Sequence, residues 1–303
     1  MLAGLNLSGR NAIITGGHAG IGLEVTRALA KAGAYVVVGA RDPECAARAL
    51  AGIDPVEVDR LDLLDSASID GFAKRRLRSE RPLHVLVNCA VASGGPERDP
   101  RGYETQFATN HLGHFQLTLA LLPALRAASG ARVVNVSSGA QRFGSMRWDD
   151  LQFTQEYNSL AAYAQSKVAN VLFAVELDRR WAADSVRGYA VHPGVVAGTK
   201  LTSAAGDAAL KRMGLIDEAG EPIIDPAAGK KTPAQAASTI VFAATSPLLN
   251  GKGGVYLKDN DIAPLVDEQP SLTNNAIPAD AASHSINPEA ARRLWTVSEA
   301  LLV

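Results

Sequence analysis

Thr15-Gly16-Gly17-His18-Ala19-Gly20-Ile21-Gly22 joins the apolar run NAIIT (11–15) to a segment whose Ile21, Val25, Ala28 and Leu29 recur at helical spacing over 20–32. The pattern predicts a strand, a tight turn and a helix, which is the setting a dinucleotide-binding glycine loop requires. Gly16, Gly20 and Gly22 would supply the tight turn, the close approach of a pyrophosphate and the packing of helix on strand. The N–H groups that open the helix would then face the phosphates, with His18, Ala19 and Ile21 completing the contact. Glycine is common in any loop, so the flanking elements carry this reading.

Outward from the loop the same alternation continues. AYVVVGA (34–40) reads as a second strand, and its unbroken valines call for burial on both faces, as in a parallel sheet between helices. A helix over 43–51, a strand in PVEVDRL, a helix over 65–79 and the strand LHVLVN (83–88) follow. One long helix is expected over 102–127, its final turns bent by Pro123. ARVVNVS (131–137), a helix over 160–183, VRGYAVH (186–192), a helix over 233–245 and a last strand near GGVYL (253–257) complete the series. Such alternation specifies an α/β fold, a doubly wound parallel sheet of the Rossmann type in one domain. Two stretches break the rhythm. The segment 194–232, rich in Gly, Ala and Lys, follows the sixth strand on the carboxyl side and reads as a substrate lid. The stretch 259–288, rich in Pro, Asn, Asp and Ser, reads as an irregular tail. The expected division is a catalytic dinucleotide-binding domain over 1–260 and an extension over 261–303 packed on it.

The chain has 303 residues, 47% hydrophobic and 20% charged, with 30 Lys+Arg against 31 Asp+Glu. A chain of this length buries roughly three quarters of its unfolded surface. The even charge balance argues against a nucleic-acid partner. The opening MLAGLNLSGRNAIIT holds no long apolar run, so neither a signal peptide nor a membrane anchor is expected there. Cys45 and Cys89 are too few for a disulfide scaffold, which favours a reducing, cytoplasmic setting.

Tyr163-Ala164-Gln165-Ser166-Lys167 falls on a predicted helix, where a spacing of four puts phenol and ammonium on one face. An ordinary tyrosine, with a pKa of about 10, is a poor acid–base catalyst near neutrality, and a neighbouring ammonium would pull it down. Ser138 closes the fifth strand at the sheet edge where cofactor and substrate would meet; it could equally cap a turn. Asn110 is a polar amide inside an apolar helix and needs a reason to be there. His111 and His114, three apart, lack a third ligand at plausible spacing, so no metal site is expected. Trp148, Trp181 and Trp295 read as packing residues.

Glycine loop, Asn110, Ser138 and Tyr163-xxx-Lys167 in this order resemble the short-chain dehydrogenase/reductase family. TGGHAGIG, LDLLDSASI, the Asn88-Cys89-Ala90 turn, TNHLGHFQLT, RVVNVSS, AAYAQSKVANVLF and HPGVV carry the likeness from about residue 5 to about residue 260. NHLGHFQLT and YAQSKVANVLFAVEL are most similar to the retinol dehydrogenase-like branch. The resemblance implies a catalytic tetrad of Asn110, Ser138, Tyr163 and Lys167. It implies adenine contacts at Asp62 and Leu63 and a ribose contact at Asn88 beside Ala90. Pro193, Gly194 and Val195 would lie near the nicotinamide carboxamide, and Tyr163 and Lys167 would also touch the cofactor. Two departures stand out. The family's Asn-Asn-Ala-Gly turn is here Asn88-Cys89-Ala90-Val91, whose branched valine would tighten the cofactor floor or shift the turn. Gly198 occupies the place of an expected threonine, with Thr199 one position later.

The implied activity is hydride transfer between a nicotinamide and a carbonyl or alcohol of a small lipophilic molecule. A catalytically weak, dinucleotide-binding regulatory protein is the alternative. The second strand ends Val38-Gly39-Ala40-Arg41, with no carboxylate for the adenosine ribose hydroxyls of NAD(H). Arg41 offers a planar, permanently charged fork for a phosphate, so NADP(H) is the expected coenzyme. Asp42, before Pro43, is expected to cap the next helix. The helices over 102–127 and 160–183 resemble those of the family's four-helix dimer interface. Leu117, Leu121, Leu122, Val171, Leu172 and Val175 exceed what one sheet face could absorb, so a homodimer or homotetramer is expected.

Overall fold

The computed structural model describes residues 4–199, 206–268 and 277–302. Residues 200–205 of the expected lid and 269–276 of the expected tail lie outside the described residues. One sheet carries β1 (Asn11–Thr15), β2 (Tyr35–Ala40), β3 (Val56–Arg60), β4 (Val85–Asn88), β5 (Ala131–Val136), β6 (Val186–Val191), β7 (Val255–Lys258) and β8 (Asp261–Ile262). Their order is β3-β2-β1-β4-β5-β6-β7-β8, and all pairs are parallel except β7 with β8. The order reverses between β1 and β4, so a crevice opens above their carboxyl ends, where ligands bind in doubly wound sheets.

The valine run of β2 explains the layering. Val36 and Val38 join one buried apolar cluster and Val37 the other, as alternate residues of a strand must. Helices α1 (Gly20–Lys31) and α8 (Pro233–Thr245) bury their apolar faces in the first cluster. Helices α3 (Ser66–Leu77), α4 (His114–Ala120), α5 (Leu122–Ala127) and α6 (Ser159–Trp181) contribute to the second. Between them in sequence come α2 (Pro43–Ala49), which Asp42 caps by accepting from the Cys45 N–H, and α7 (Asp207–Arg212). Among the described residues no helix is long and apolar enough to cross a membrane.

Three elements differ from the sequence expectation. The single helix over 102–127 is broken: a π-helical stretch, Ala108–Gly113, precedes α4, and Leu121 at φ −90° and ψ 0° separates α4 from α5. Pro123 stands in the first turn of α5, where its missing N–H costs nothing, so it begins a helix rather than bending one. Asp259 and Asn260 both take positive φ, 49° and 63°, and turn the chain into β8. This is the two-residue hairpin geometry that matches strand twist.

Beyond the irregular stretch, the extension ends in a helix that the sequence reading did not place. Asn287 accepts from the N–H groups of Glu289 and Ala290, Pro288 follows at the first turn, and α9 (Pro288–Ala300) runs from there. Its Ala291, Leu294, Trp295 and Ser298, spaced for one helix face, are all buried. Ala291 and Leu294 pack with Val168 and Leu172 of α6, and the Trp295 ring meets Phe115 and Trp181 edge to face at 5.0 and 5.3 Å. Part of the apolar surplus read as a dimer interface is therefore absorbed within the chain, while Leu122 and Val175 remain half-buried. Leu117, Leu121, Val171 and Leu172 are all 0% exposed without a partner subunit.

Candidate active site

Gly16 (φ 68°) and Gly20 (φ 50°) take left-handed backbone that only glycine adopts at little cost. A Cβ on Gly22 would stand 2.5 Å from the Gly16 carbonyl oxygen, and one on Gly17 would stand 2.6 Å from Thr26 Oγ1. Helix α1 thus packs onto its own entry turn with no room for a side chain. Ala19, the residue before α1, offers no side-chain cap, so the first N–H groups of the helix are left for a ligand at the crevice. This cradle fits the pyrophosphate of a dinucleotide.

The turn after β4 is tied to the cradle through Thr15. Thr15 Oγ1 accepts from the N–H groups of Cys89 and Ala90 at 2.9 and 3.0 Å. A Cβ on Gly16 would lie 3.1 Å from Ala90 Cα, so the two turns touch. Val91 is 40% exposed and none of Cys89, Ala90 and Val91 takes positive φ. Asn88 is buried; its amide donates to Asn135 Oδ1 and Thr118 Oγ1, and its own Oδ1 has no partner among the described residues.

Asp62 and Leu63 follow β3 at the same sheet edge. Asp62 accepts from the Leu64 N–H, and Leu63 is buried against Gly113. Arg41, one residue beyond β2, is exposed, and its guanidinium has no ion pair or hydrogen bond among the described residues. On the other side, Pro193 is buried and Gly194 (φ 94°) leads into Val195, which exchanges backbone hydrogen bonds with Gly229 and Lys231. Thr199 Cγ2 would be 3.7 Å from a Cβ on Gly20. The one-place shift from Gly198 still brings a threonine to the glycine loop.

The four expected catalytic residues converge at the ends of β5 and α6. Ser138 follows β5 and opens a short 3-10 turn, Gly139–Arg142, accepting from the Ala140 N–H, so it is a turn serine as well. Its hydroxyl lies near enough to the phenol of Tyr163 to favour the phenolate. The Lys167 ammonium lies 5.3 Å from the centre of the Tyr163 ring and donates to the Val136 carbonyl at 3.1 Å. Asn110, fully buried on the π-helical stretch, accepts from the Ala92 N–H and donates to Ala92 O and Ser166 Oγ. Ser166 in turn donates to the Tyr163 carbonyl. The sequence spacing thus becomes one connected group.

The electrostatics correct one expectation. The phenol of Tyr163 is not drawn down by Lys167; burial pushes it up to about 12, against a lowering contribution from Ser138. Burial pushes Lys167 down to about 8, with Cys89 acting weakly in the other direction. Desolvation dominates both shifts because each group loses its water, and the ammonium donates to the Val136 carbonyl.

Sequence reasoning missed several residues that hold this geometry. Thr15 sits immediately before the glycines. His192 Nδ1 accepts from the Gly139 N–H at 2.9 Å and steadies the turn after Ser138. Gln141 and Arg142 donate to carbonyls of Val266, Glu268 and Asp280, which fold the tail against the site. A hydroxyl or imidazole whose partner lies 50 or more residues away leaves no periodic signal. His111 and His114 have separate partners: His111 Nε2 meets Ser298 Oγ of α9, and His114 bonds Thr15 and Asn110.

A dinucleotide cradle beside a serine, a tyrosine and a lysine at the carboxyl edge of a parallel sheet is the arrangement of an oxidoreductase. The chain belongs to the short chain dehydrogenase family, whose family model matches residues 10–209. A Streptomyces lividans protein described as a "Probable oxidoreductase" is 42% identical over 299 residues, 96% of this chain and 97% of the relative. Mouse retinol dehydrogenase 12 is 45% identical over 199 residues, 63% of each chain. Among solved structures, an uncharacterised protein from Mycobacterium paratuberculosis superposes with a TM-score of 0.75 at 30% identity, covering 100% of this chain and 97% of that one.

Proposed function

We propose that the protein is an NADP(H)-dependent dehydrogenase or reductase of the carbonyl or alcohol group of a small lipophilic molecule. The observation that supports this most directly is the convergence of Ser138 and Lys167 on Tyr163, with the Lys167 ammonium 5.3 Å from the ring centre, at the sheet edge that carries the glycine cradle. A bound nicotinamide would supply the hydride. In the reductive direction Ser138 holds the carbonyl oxygen and Tyr163 gives it a proton. Lys167 contacts the nicotinamide ribose, and Asn110 holds the water path by which the proton is replaced. Gly16, His18, Ala19, Gly20, Ile21 and Gly22 hold the pyrophosphate. Asp62 and Leu63 flank the adenine, Asn88 and Ala90 the ribose, and Pro193, Gly194 and Val195 the carboxamide. The lipophilic substrate is supported by Val91 and Phe143, 40% and 44% exposed, which follow the turns after β4 and β5. On this reading 1–260 is the catalytic domain with 194–232 as its lid, 261–303 is an extension on it, and the protein works in the cytoplasm.

The coenzyme preference rests on Arg41. Bidentate guanidinium–phosphate hydrogen bonds contribute about 1.5–3 kcal/mol each, so losing even one costs roughly tenfold to a hundredfold in affinity. NADPH consumption over a panel of aldehydes and ketones should exceed NADH consumption at equal concentration, and Arg41→Asp should reduce or reverse the ratio. Equal catalytic efficiency with both coenzymes in the unaltered protein would contradict the assignment.

A further inference from the structure

His114 is 1% exposed and has both ring nitrogens engaged. Nδ1 stands 3.1 Å from the Asn110 carbonyl oxygen and Nε2 stands 2.8 Å from Thr15 Oγ1. A carbonyl only accepts, so Nδ1 carries the proton, and Nε2 of the neutral ring accepts from the Thr15 hydroxyl at 2.8 Å in preference to the Val87 carbonyl, which is 3.5 Å from the same oxygen. Thr15 Oγ1 then spends both acceptor sites on the Cys89 and Ala90 N–H groups, 2.9 and 3.0 Å away. Every donor and acceptor is satisfied in only one tautomer. Burial lowers the imidazole to about 4, with the Asn110 carbonyl opposing and the Lys167 charge adding to the effect, so the ring stays neutral. His111, the other titratable group nearby, is likewise held neutral by burial. The main chain of His114 is also fixed, because its carbonyl accepts from Thr118 Oγ1, which accepts from Asn88.

We propose that His114 is a positioning residue that fixes two parts of the site at once: the Asn110 main chain through Nδ1, and the Cys89-Ala90 turn through Nε2 and Thr15. The inference rests on the dinucleotide-binding reading above. It makes the His114–Thr15 contact a determinant of cofactor affinity and the His114–Asn110 contact a determinant of turnover.

Asparagine and glutamine separate the two contacts. The His114→Asn amide can take the place of Nδ1 but offers no acceptor to Thr15, whereas the His114→Gln amide oxygen can take the place of Nε2. NADPH fluorescence titration of the full chain should show His114→Asn binding at least tenfold more weakly and His114→Gln within threefold of the unaltered protein. His114→Gln should instead lose kcat at unchanged KM for NADPH. Thr15→Val should weaken binding about as much as His114→Asn, and the double variant should be no weaker than the worse single one. Independent losses that multiply in the double variant would overturn the proposal, as would equal binding by the Asn and Gln variants. Nitrogen-15 NMR of histidine-labelled unaltered protein tests the same geometry without a variant. It should show His114 protonated at Nδ1 alone from pH 6 to 9; an imidazolium or an Nε2–H tautomer in that range would overturn the proposal. If the unaltered protein binds neither NADPH nor NADH, the functional reading fails, and the inference with it.

Discussion

On the proposed reading, Tyr163 and Lys167 divide the acid–base work in a way their spacing alone does not reveal. With its phenol near 12 and its neighbour near 8, the group that titrates in the working range is the lysine. A phenol whose pKa is raised keeps its proton at every pH below that value, which suits a proton donor in carbonyl reduction. An amine whose pKa is lowered is charged only below about 8 and loses its ammonium as pH rises through that value. The kcat/KM for reduction, which reports ionisations of the free enzyme, should therefore bend downward near pH 8. Lys167→Arg keeps the charge to high pH and should remove the bend, at reduced activity. A profile for the unaltered protein that stays flat to pH 10 would contradict this division. The clustering of Asn110, Ser138, Tyr163 and Lys167 was legible because each falls in a short motif of the sequence. Thr15, His114 and His192 were not, since the bonds that give them meaning close only when β1, β4, β5 and the π-helical stretch meet.

At the scale of elements, periodicity reads buried faces well and interruptions poorly. The seven parallel strands and helices α1, α6 and α8 lie where their apolar patterns put them. The stretch 105–127 kept its apolar pattern while its backbone passed from π to α geometry and broke at Leu121, because side-chain spacing hardly registers one displaced hydrogen bond. Helix α9 was hidden by its surroundings: a Pro-, Asn- and Ser-rich approach drew attention from the Asn287-Pro288-Glu289 start signal. Its Trp295 closes an aromatic group with Phe115, Phe173 and Trp181 and is 2% exposed. Trp295→Ala would leave a cavity there and should destabilise the protein by about 3–5 kcal/mol in urea unfolding, as aromatic-to-alanine changes in cores do. A change below about 1 kcal/mol would show that α9 is not an integral layer of the core.

Across the whole molecule, the reversal of strand order between β1 and β4 decides where chemistry is possible. It sets the glycine cradle, the Thr15-held turn and the ends of β5 and α6 around one crevice, while α9 and the tail close the flanks. The fold class was readable from alternation alone because parallel strands buried on both faces need long apolar runs. The outer layer was not, because α9 covers apolar residues that the sequence equally allows a second subunit to cover. The proposed reduction depends on the proton of Tyr163. Replacement by phenylalanine removes one oxygen and keeps the ring beneath Lys167. With NADPH and any aldehyde or ketone the unaltered protein reduces, Tyr163→Phe should lose nearly all turnover while its NADPH dissociation constant, read by fluorescence, stays within about threefold. Substantial turnover by Tyr163→Phe would contradict the central claim.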